Sequence, residues 1–209
     1  MRKVDTVIFD FDGTIADTLE AMVDLFNQVS VKYQLPQIAQ ADREKIRNLS
    51  ARELIEEFKI SRLKFIRLTK EILPKLKNNL QQLNLISGLE ELLIDLKEKG
   101  FQIGIVSSNS KENIELFLNY HQIKGIDFIY AEKSLFGKAK VLSNVLKKHH
   151  LTAAKVIYVG DEVRDIEASH QAGLPIIAVT WGLNSKARLQ KAKPDYIIDQ
   201  PKELLTKLT

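Results

Sequence analysis

Two aspartates one residue apart, in the segment DFDGT at residues 10–14, form the strongest chemical signal in the sequence. The segment follows an apolar run at residues 4–9, which is typical of a buried β-strand. Because side chains two positions apart on a strand point to the same side, Asp10 and Asp12 can converge on one site. Gly13 lets the backbone turn sharply and approach a ligand closely. Taken alone, the segment also fits a turn or a cation-binding loop.

Further polar residues stand at or just beyond the ends of other apolar runs, or just before a predicted helix. They are Ser107, Ser108 and Asn109; Asp161 and Asp165, in the segment GDEVRD; and Lys138. Ligands of a parallel sheet bind beyond the carboxyl ends of its strands, where these residues would gather. Each group also has an ordinary structural interpretation, as a helix cap, an acidic helix N-terminus or a solvated lysine.

Phosphoryl transfer explains the whole set of residues. A phosphate dianion repels a carboxylate nucleophile, so the site needs a hard cation such as Mg²⁺, held by carboxylates, and the ammonium of Lys138. A hydroxyl and loop N–H groups can bind the phosphate oxygens. Attack by Asp10 would form an aspartyl-phosphate and split one difficult step into two. Asp12 would protonate the leaving oxygen and then deprotonate the attacking water.

The elements that must position these residues alternate between strands and helices. Strand-like runs stand at residues 4–9, 101–107, 128–130, 156–159, 176–180 and 196–198, and helical patterns at 88–99, 110–120, 138–149 and 162–172. Strands that alternate with single helices predict an α/β fold whose parallel sheet is covered on both faces.

The stretch between residues 17 and 83 differs, because it contains helical patterns and no strand-like run. One apolar stripe runs along residues 19–29, and Ser61 would cap a longer helix in which Pro74 makes a kink. We therefore predict a core domain of residues 1–15 and 86–209, interrupted after its first strand by an all-helical domain of residues 16–85.

The amino-acid composition limits the classes of protein to which the chain can belong. The chain has 209 residues, of which 44% are apolar and 28% charged, as in ordinary globular proteins. It lacks an apolar run of 18 residues and has no Cys, so we expect neither membrane spans nor disulfides nor thiolate metal sites. The net charge of +4 comes largely from scattered lysines, so we expect a solvated surface and no nucleic-acid partner. The N-terminus lacks the pattern of a secretory signal, and together with the missing membrane span and Cys this favours the cytoplasm. We expect a monomer or a homodimer.

Together these segments resemble the motifs of the haloacid dehalogenase-like (HAD) superfamily, over essentially the whole chain. The segment DFDGT is similar to the first motif, VSSN to the second, Lys138 to the third and GDEVRD to the fourth. The resemblance implies a Rossmann-like core with the helical insert as its cap domain. The segments VTWG at 179–182 and DIEASHQAG at 165–173 most resemble the phosphoglycolate phosphatase group.

The resemblance also implies a role for each acidic residue. Asp10 would be the nucleophile and a metal ligand. Asp12 would be the general acid and base, and would bind the metal through its backbone carbonyl. Asp161 would bind Mg²⁺, and Asp165 would help to hold the ion through water or by orienting Lys138. Because the second aspartate of the first motif is present, the resemblance is to the phosphatases rather than to the dehalogenases of the superfamily.

The same resemblance assigns the phosphate to Ser107 and Lys138, with Ser108 and Asn109 beside them. The part of the substrate other than phosphate would be recognised by the cap, where Arg52 or Arg47 could bind a substrate carboxylate, or could simply be solvated. We expect a small phosphorylated metabolite, similar to phosphoglycolate or a sugar phosphate. A phosphosugar mutase and a non-catalytic binding module remain as alternatives.

Overall fold

The computed structural model describes residues 4–49, 51–78, 83–131 and 137–208. A six-stranded sheet lies at its centre, in the order β3-β2-β1-β4-β5-β6, and every neighbouring pair is parallel. The strands are β1 (Thr6–Phe9), β2 (Gln102–Ser107), β3 (Phe128–Ala131), β4 (Val156–Gly160), β5 (Ile176–Val179) and β6 (Tyr196–Ile198). Each lies within a residue or two of a predicted strand-like run, and the α/β parallel sheet is confirmed.

At least one helix follows each strand along the chain. In the described residues they are α1 (Thr18–Ser30), α2 (Arg43–Arg47), α3 (Ala51–Glu57), α4 (Arg62–Asn78), α5 (Leu89–Glu98), α6 (Lys111–Tyr120), α7 (Lys138–Lys148), α8 (Val163–Gln171), α9 (Lys186–Lys191) and α10 (Leu205–Leu208). Short 3₁₀ turns lie at Val31–Tyr33, Gln40–Asp42, Ala153–Lys155 and Pro201–Glu203. None of the helices within the described ranges has the length and apolar composition needed to cross a bilayer.

Two apolar layers cover the sheet, one on each face, because successive strand residues point to opposite sides. In β1, Val7 and Phe9 pack into a layer with buried residues of α5 and α6, such as Leu93 and Phe117. Ile8 lies between them in sequence and packs into the other layer, with residues of α7, α8 and α9. The strand order places β1 at the centre, where crossovers run off in both directions, and ligands of such sheets bind at this switch point.

The chain leaves the sheet region after β1 and returns before α5 through two adjacent segments. The N–H of Asp17 donates to the carbonyl oxygen of Asn84 at 2.9 Å, and that of Ile86 donates to Ile15 at 3.0 Å. All the elements described between these crossings are helical. The crossings lie at the predicted boundary, while the division into two domains stays a prediction.

The helical segment, residues 16–85, has a small apolar cluster of its own. Val29, Ile60 and Leu68 are buried there, and α4 packs against α1. As predicted, Ser61 caps α4, since its hydroxyl accepts the N–H of Lys64 at 3.3 Å. In α4 the apolar residues Leu63 and Ile66 are exposed, and the buried face runs through Leu68 and Leu76.

Candidate active site

The first aspartate of DFDGT lies at the bottom of a polar site just beyond β1. Asp10 is buried, and its two carboxylate oxygens have different partners. The N–H of Phe11 donates to Oδ1 at 2.8 Å, and Nζ of Lys138 donates to Oδ2 at 2.8 Å. The Lys138 ammonium also donates to Oδ1 of Asp165. One lysine therefore bridges two of the predicted acidic residues.

Asp10, Asp161 and Asp165 form an acidic cluster in which one carboxylate oxygen of each lies within 4.8 Å of the others. Burial and neighbouring negative charge raise the pKa of Asp10 and raise that of Asp161 well above its usual value. Burial opposes the charged form of Lys138, but Asp10 and Asp165 outweigh it and hold the lysine pKa well above its ordinary value. The cluster is short of positive charge even with Lys138 present.

These residues fit a hard divalent cation. The three side chains offer only carboxylate oxygens, which are the donors that such ions prefer, and no thiolate or imidazole belongs to the cluster. A bound dication would also offset the negative charge that raises the pKa values of the buried carboxyl groups. The predicted metal-binding side chains of Asp10, Asp161 and Asp165 are thus brought together.

Asp161 is held in place by partners that the sequence analysis did not identify. Thr14 Oγ1 donates to its Oδ1 at 3.0 Å, and the N–H of Leu183 donates to its Oδ2 at 2.7 Å. Gly13 has φ +75°, and a Cβ there would lie 2.2 Å from Asp161 Oδ2. A Cβ on Gly182 would lie 2.3 Å from the Asp161 Cβ. Both glycines are needed because the backbone passes directly over this carboxylate.

Asp165 combines a structural and a site contact. Its Oδ2 accepts the N–H of Glu162 at 3.1 Å, at the start of α8, while Oδ1 accepts Lys138. The acidic residue at the N-terminus of α8 and the predicted site residue are therefore one and the same, Asp165. Gly160 leaves room for it, because a Cβ there would lie 2.7 Å from the Asp165 Cβ.

Asp12 lies beside Asp10 but is less enclosed. Nδ2 of Asn109 donates to both of its oxygens, at 3.3 and 3.2 Å. Burial and the nearby Asp10 charge raise the pKa of Asp12 to about 7, although the Asn109 hydrogen bond opposes the shift. A carboxyl group with such a pKa can both give and take a proton near neutral pH.

The predicted phosphate-binding residues at the end of β2 have distinct surroundings. Ser107 is buried, and its Oγ accepts the N–H of Asn109 at 3.0 Å. Asn109 Oδ1 accepts the N–H of Ser110 at 2.8 Å and Nδ2 of Asn113 at 3.0 Å. The oxygen and the nitrogen of the Asn109 amide therefore both make hydrogen bonds, and the nitrogen orients Asp12. Ser108 is half-buried between the two, and the phosphate-binding role of all three residues stays a prediction.

Arg47 and Arg52 are the two residues predicted to bind a substrate carboxylate. Arg47 donates to backbone carbonyl oxygens of the core, among them Gly182 at 3.0 Å from Nε. It also pairs with Glu44 at 3.0 Å, so its guanidinium is occupied within the protein and not presented to a substrate carboxylate. Arg52 belongs to α3, but its side chain lies outside the described part of the structure.

A cavity of about 590 Å³ opens between the helical segment and the start of α8. Its wall is mainly apolar and includes Phe26 of α1, Leu54 of α3 and Leu68 of α4. Glu162 and Arg164, which follow Asp161 closely in the chain, also line the cavity. Cavities of this size and lining are typical of small-molecule sites.

The structure thus has a parallel sheet with a buried, lysine-bridged acidic cluster at the ends of its central strands. Residues 7–179 match the model of the haloacid dehalogenase-like hydrolase family. The chain therefore belongs to the haloacid dehalogenase-like hydrolase family, as its motifs predict.

Curated relatives of the chain are phosphatases. It is 34% identical over 207 residues to a phosphoglycolate phosphatase of Synechococcus elongatus, covering 99% of this chain and 98% of the relative. A pyrophosphatase of Bacillus mycoides is 26% identical over 215 residues, covering 97% and 96% of the two chains. The chain is thus an enzyme of the phosphatase class within the family.

Solved structures share the fold along the whole chain. A haloacid dehalogenase-like hydrolase of Streptococcus pneumoniae superimposes with a TM-score of 0.82 at 21% identity, covering 100% of both chains. A crystal structure from Lactobacillus delbrueckii subsp. bulgaricus gives 0.81 at 22% identity, covering 99% of this chain and 98% of the other. These similarities confirm the fold.

Proposed function

We propose that the protein is a Mg²⁺-dependent phosphatase that hydrolyses a small phosphorylated metabolite through an aspartyl-phosphate on Asp10. One observation carries the proposal: a buried carboxylate, Asp10, meets Lys138 and two further carboxylates, Asp161 and Asp165, with the titratable Asp12 beside it. A nucleophile, charge neutralisation and an acid–base group are the parts that phosphoryl transfer needs.

The proton and bond changes follow from these side chains. A carboxylate oxygen of Asp10 attacks phosphorus, and the bond to the leaving oxygen breaks as Asp12 gives that oxygen its proton. Asp12, now a carboxylate, takes a proton from water as the water attacks the phosphoryl group. The bond between phosphorus and Asp10 breaks, inorganic phosphate leaves, and both aspartates return to their starting states.

The groups that would hold the anionic phosphate have separate tasks. Asp10, Asp161 and Asp165, with the backbone carbonyl of Asp12, would hold Mg²⁺, which supplies positive charge that neutralises and orients the phosphoryl oxygens. Lys138 adds a fixed positive charge next to the nucleophile. The Ser107 hydroxyl would donate to a phosphoryl oxygen.

The leaving group would occupy the cavity between the helical segment and the start of α8, which Glu162 and Arg164 help to line. Phosphoglycolate, sugar phosphates and pyrophosphate are the first substrates to test, because the curated relatives include a phosphoglycolate phosphatase and a pyrophosphatase. Fold and motif determine the reaction, whereas the cavity determines the substrate, so the panel must extend beyond these names.

Arg52 is our candidate for binding a substrate carboxylate, since Arg47 is occupied and Leu54, which belongs to the same helix α3, lines the cavity. Arg52→Ala should weaken carboxylated substrates by about 1.5–3 kcal/mol, the range for a hydrogen bond to a charged group. A chromogenic phosphate ester without a carboxylate should respond little. Equal responses, or no response for either substrate, would contradict this role.

Phosphate release with Mg²⁺ from a panel of phosphorylated metabolites tests the proposed function. We expect Mg²⁺-dependent release of inorganic phosphate from at least one small monoester or pyrophosphate. The enzyme should also transiently incorporate ³²P from a labelled substrate, in an acid-stable but hydroxylamine-sensitive form. Transfer of phosphate to a sugar hydroxyl without release would instead indicate a mutase.

A further inference from the structure

Arg47 holds a backbone loop of the α/β core from the end of α2. Its Nε donates to the carbonyl oxygen of Gly182 at 3.0 Å, and its Nη2 donates to those of Thr180 and, at 3.3 Å, Asn184. The N–H of Ser185 donates in return to the carbonyl oxygen of Arg47 at 3.1 Å. Only 17% of the Arg47 side chain is exposed. A planar fork of donors suits a row of carbonyl groups better than the single ammonium of lysine does.

The same loop, residues 180–185, holds Asp161 from its other side. The N–H of Leu183 donates to Asp161 Oδ2 at 2.7 Å, and that of Asn184 donates to the Asp161 carbonyl oxygen at 3.3 Å. The Gly182 carbonyl and the Leu183 N–H belong to one peptide group, and in a trans peptide they point in opposite directions. Arg47 and Asp161 therefore hold the two ends of the same peptide plane.

We propose that Arg47 is a positioning residue that acts through this peptide group to fix the carboxylate of Asp161 for the divalent cation. The inference rests on the proposed function, in which Asp161 binds the metal. Arg47 prevents the 182–183 peptide from rotating, and its positive charge polarises the peptide so that the Leu183 N–H is a stronger donor. Residues that orient metal ligands in this way affect metal affinity by about 10–100-fold.

This arrangement links the helical segment to the metal site. Arg47 lies in the helical segment and Asp161 follows β4 in the core, so binding of the cation and docking of α2 favour each other. Asn48 lies next to Arg47, and its Oδ1 accepts the hydroxyl of Ser185. Among the described residues, none of the side-chain hydrogen bonds of Asn48 goes to the 182–183 peptide. Asn48 therefore offers a matched control for docking alone.

Binding of Mn²⁺ to the substrate-free protein tests the inference, with titration calorimetry or Mn²⁺ electron paramagnetic resonance as the readout. Arg47→Ala should weaken Mn²⁺ binding about tenfold or more, Arg47→Lys should weaken it less, and Asn48→Ala should change it less than twofold. In turnover, Arg47→Ala should need about tenfold more Mg²⁺ for half-maximal activity, and saturating Mg²⁺ should restore most of kcat.

Unchanged Mn²⁺ affinity in Arg47→Ala would overturn the inference, as would an equal loss in Asn48→Ala. If Arg47→Ala does not fold, Arg47→Lys decides, since wild-type affinity in that variant would contradict the proposed positioning. Failure of the proposed function itself is recognised separately, because the unmodified protein would then neither bind Mn²⁺ nor release phosphate.

Discussion

At the scale of single residues, the site is organised by an excess of negative charge. One buried lysine, Lys138, pairs with Asp10 and Asp165, and burial together with the surrounding negative charge raises the pKa of Asp10 and of Asp161. Buried charges persist only when they are paired, hydrogen-bonded or neutralised by a metal. The cluster is therefore costly as a purely structural feature, and the proposed binding of a cation and an anionic substrate would account for it.

Asp10→Asn tests covalent catalysis. The amide keeps the shape of the side chain but is a poor nucleophile, so we expect kcat to fall by about 10³-fold or more, with no ³²P-labelled enzyme after acid quench. Asp17→Asn changes a half-buried aspartate outside the acidic cluster and should retain most of the activity. Near-native turnover by Asp10→Asn would exclude the aspartyl-phosphate mechanism.

Lys138→Ala tests the neutralising charge. Removal of the ammonium takes away positive charge from both the bound phosphate and the transition state, so KM should rise and kcat should fall together. Lys140→Ala, on the exposed side of the same helix, is the matched control and should change neither value more than about twofold. If Lys138→Ala leaves both parameters unchanged, Lys138 has no part in phosphate binding or catalysis.

The acidic residues were predictable from the sequence, but their supports were not. Asp10, Asp161 and Lys138 stand at strand ends or helix starts, where both pattern and chemistry identify them. Leu183 contributes only a backbone N–H, and Arg47 binds carbonyl groups more than 130 positions away along the chain. Backbone donors and acceptors occur at every residue, so no residue type or spacing distinguishes those that hold a site.

At the scale of elements, the strands were predicted closely because buried parallel strands read as continuous apolar runs. The short helices α9 and α10 were missed, because six and four residues are too few for a helical period to show. Within α4, Leu63 and Ile66 fit the apolar spacing yet lie in solvent. Spacing alone does not indicate which side of a partly apolar helix meets the rest of the protein.

Gly104→Ala tests the packing of β2 against β3. A Cβ at Gly104 would lie 2.0 Å from the ring of Phe128, which itself stacks on His149 with centroids 4.4 Å apart. The ring must move, so we expect a loss of about 1–3 kcal/mol in the free energy of unfolding, measured by urea denaturation. In a Phe128→Leu background the same substitution should cost less, and an equal cost in both backgrounds would exclude the ring contact as its cause.

At the scale of the whole molecule, the topology explains why one site collects residues from distant segments. Crossovers run in opposite directions from β1, so the ends of β2, β1 and β4 meet at the switch point. The helical segment is inserted after β1 and returns beside its own starting point. Its helices share a cavity with Glu162 and Arg164, which follow Asp161 in the chain. Substrate selection can therefore vary in the helical segment while the residues around Asp10 stay fixed.

Chelation of divalent cations tests whether phosphate release by the whole enzyme depends on a bound metal ion. After exhaustive chelation we expect phosphate release to stop, and Mg²⁺ or Mn²⁺ to restore it. Ca²⁺ should not restore it, because its larger and looser coordination shell would misplace the phosphoryl group. The chelated protein should keep its circular dichroism spectrum, since the apolar layers on the two faces of the sheet do not depend on the ion. Loss of activity with the fold retained would locate the requirement in the chemistry, whereas full activity after chelation, or equal activation by Ca²⁺, would contradict a Mg²⁺-dependent mechanism.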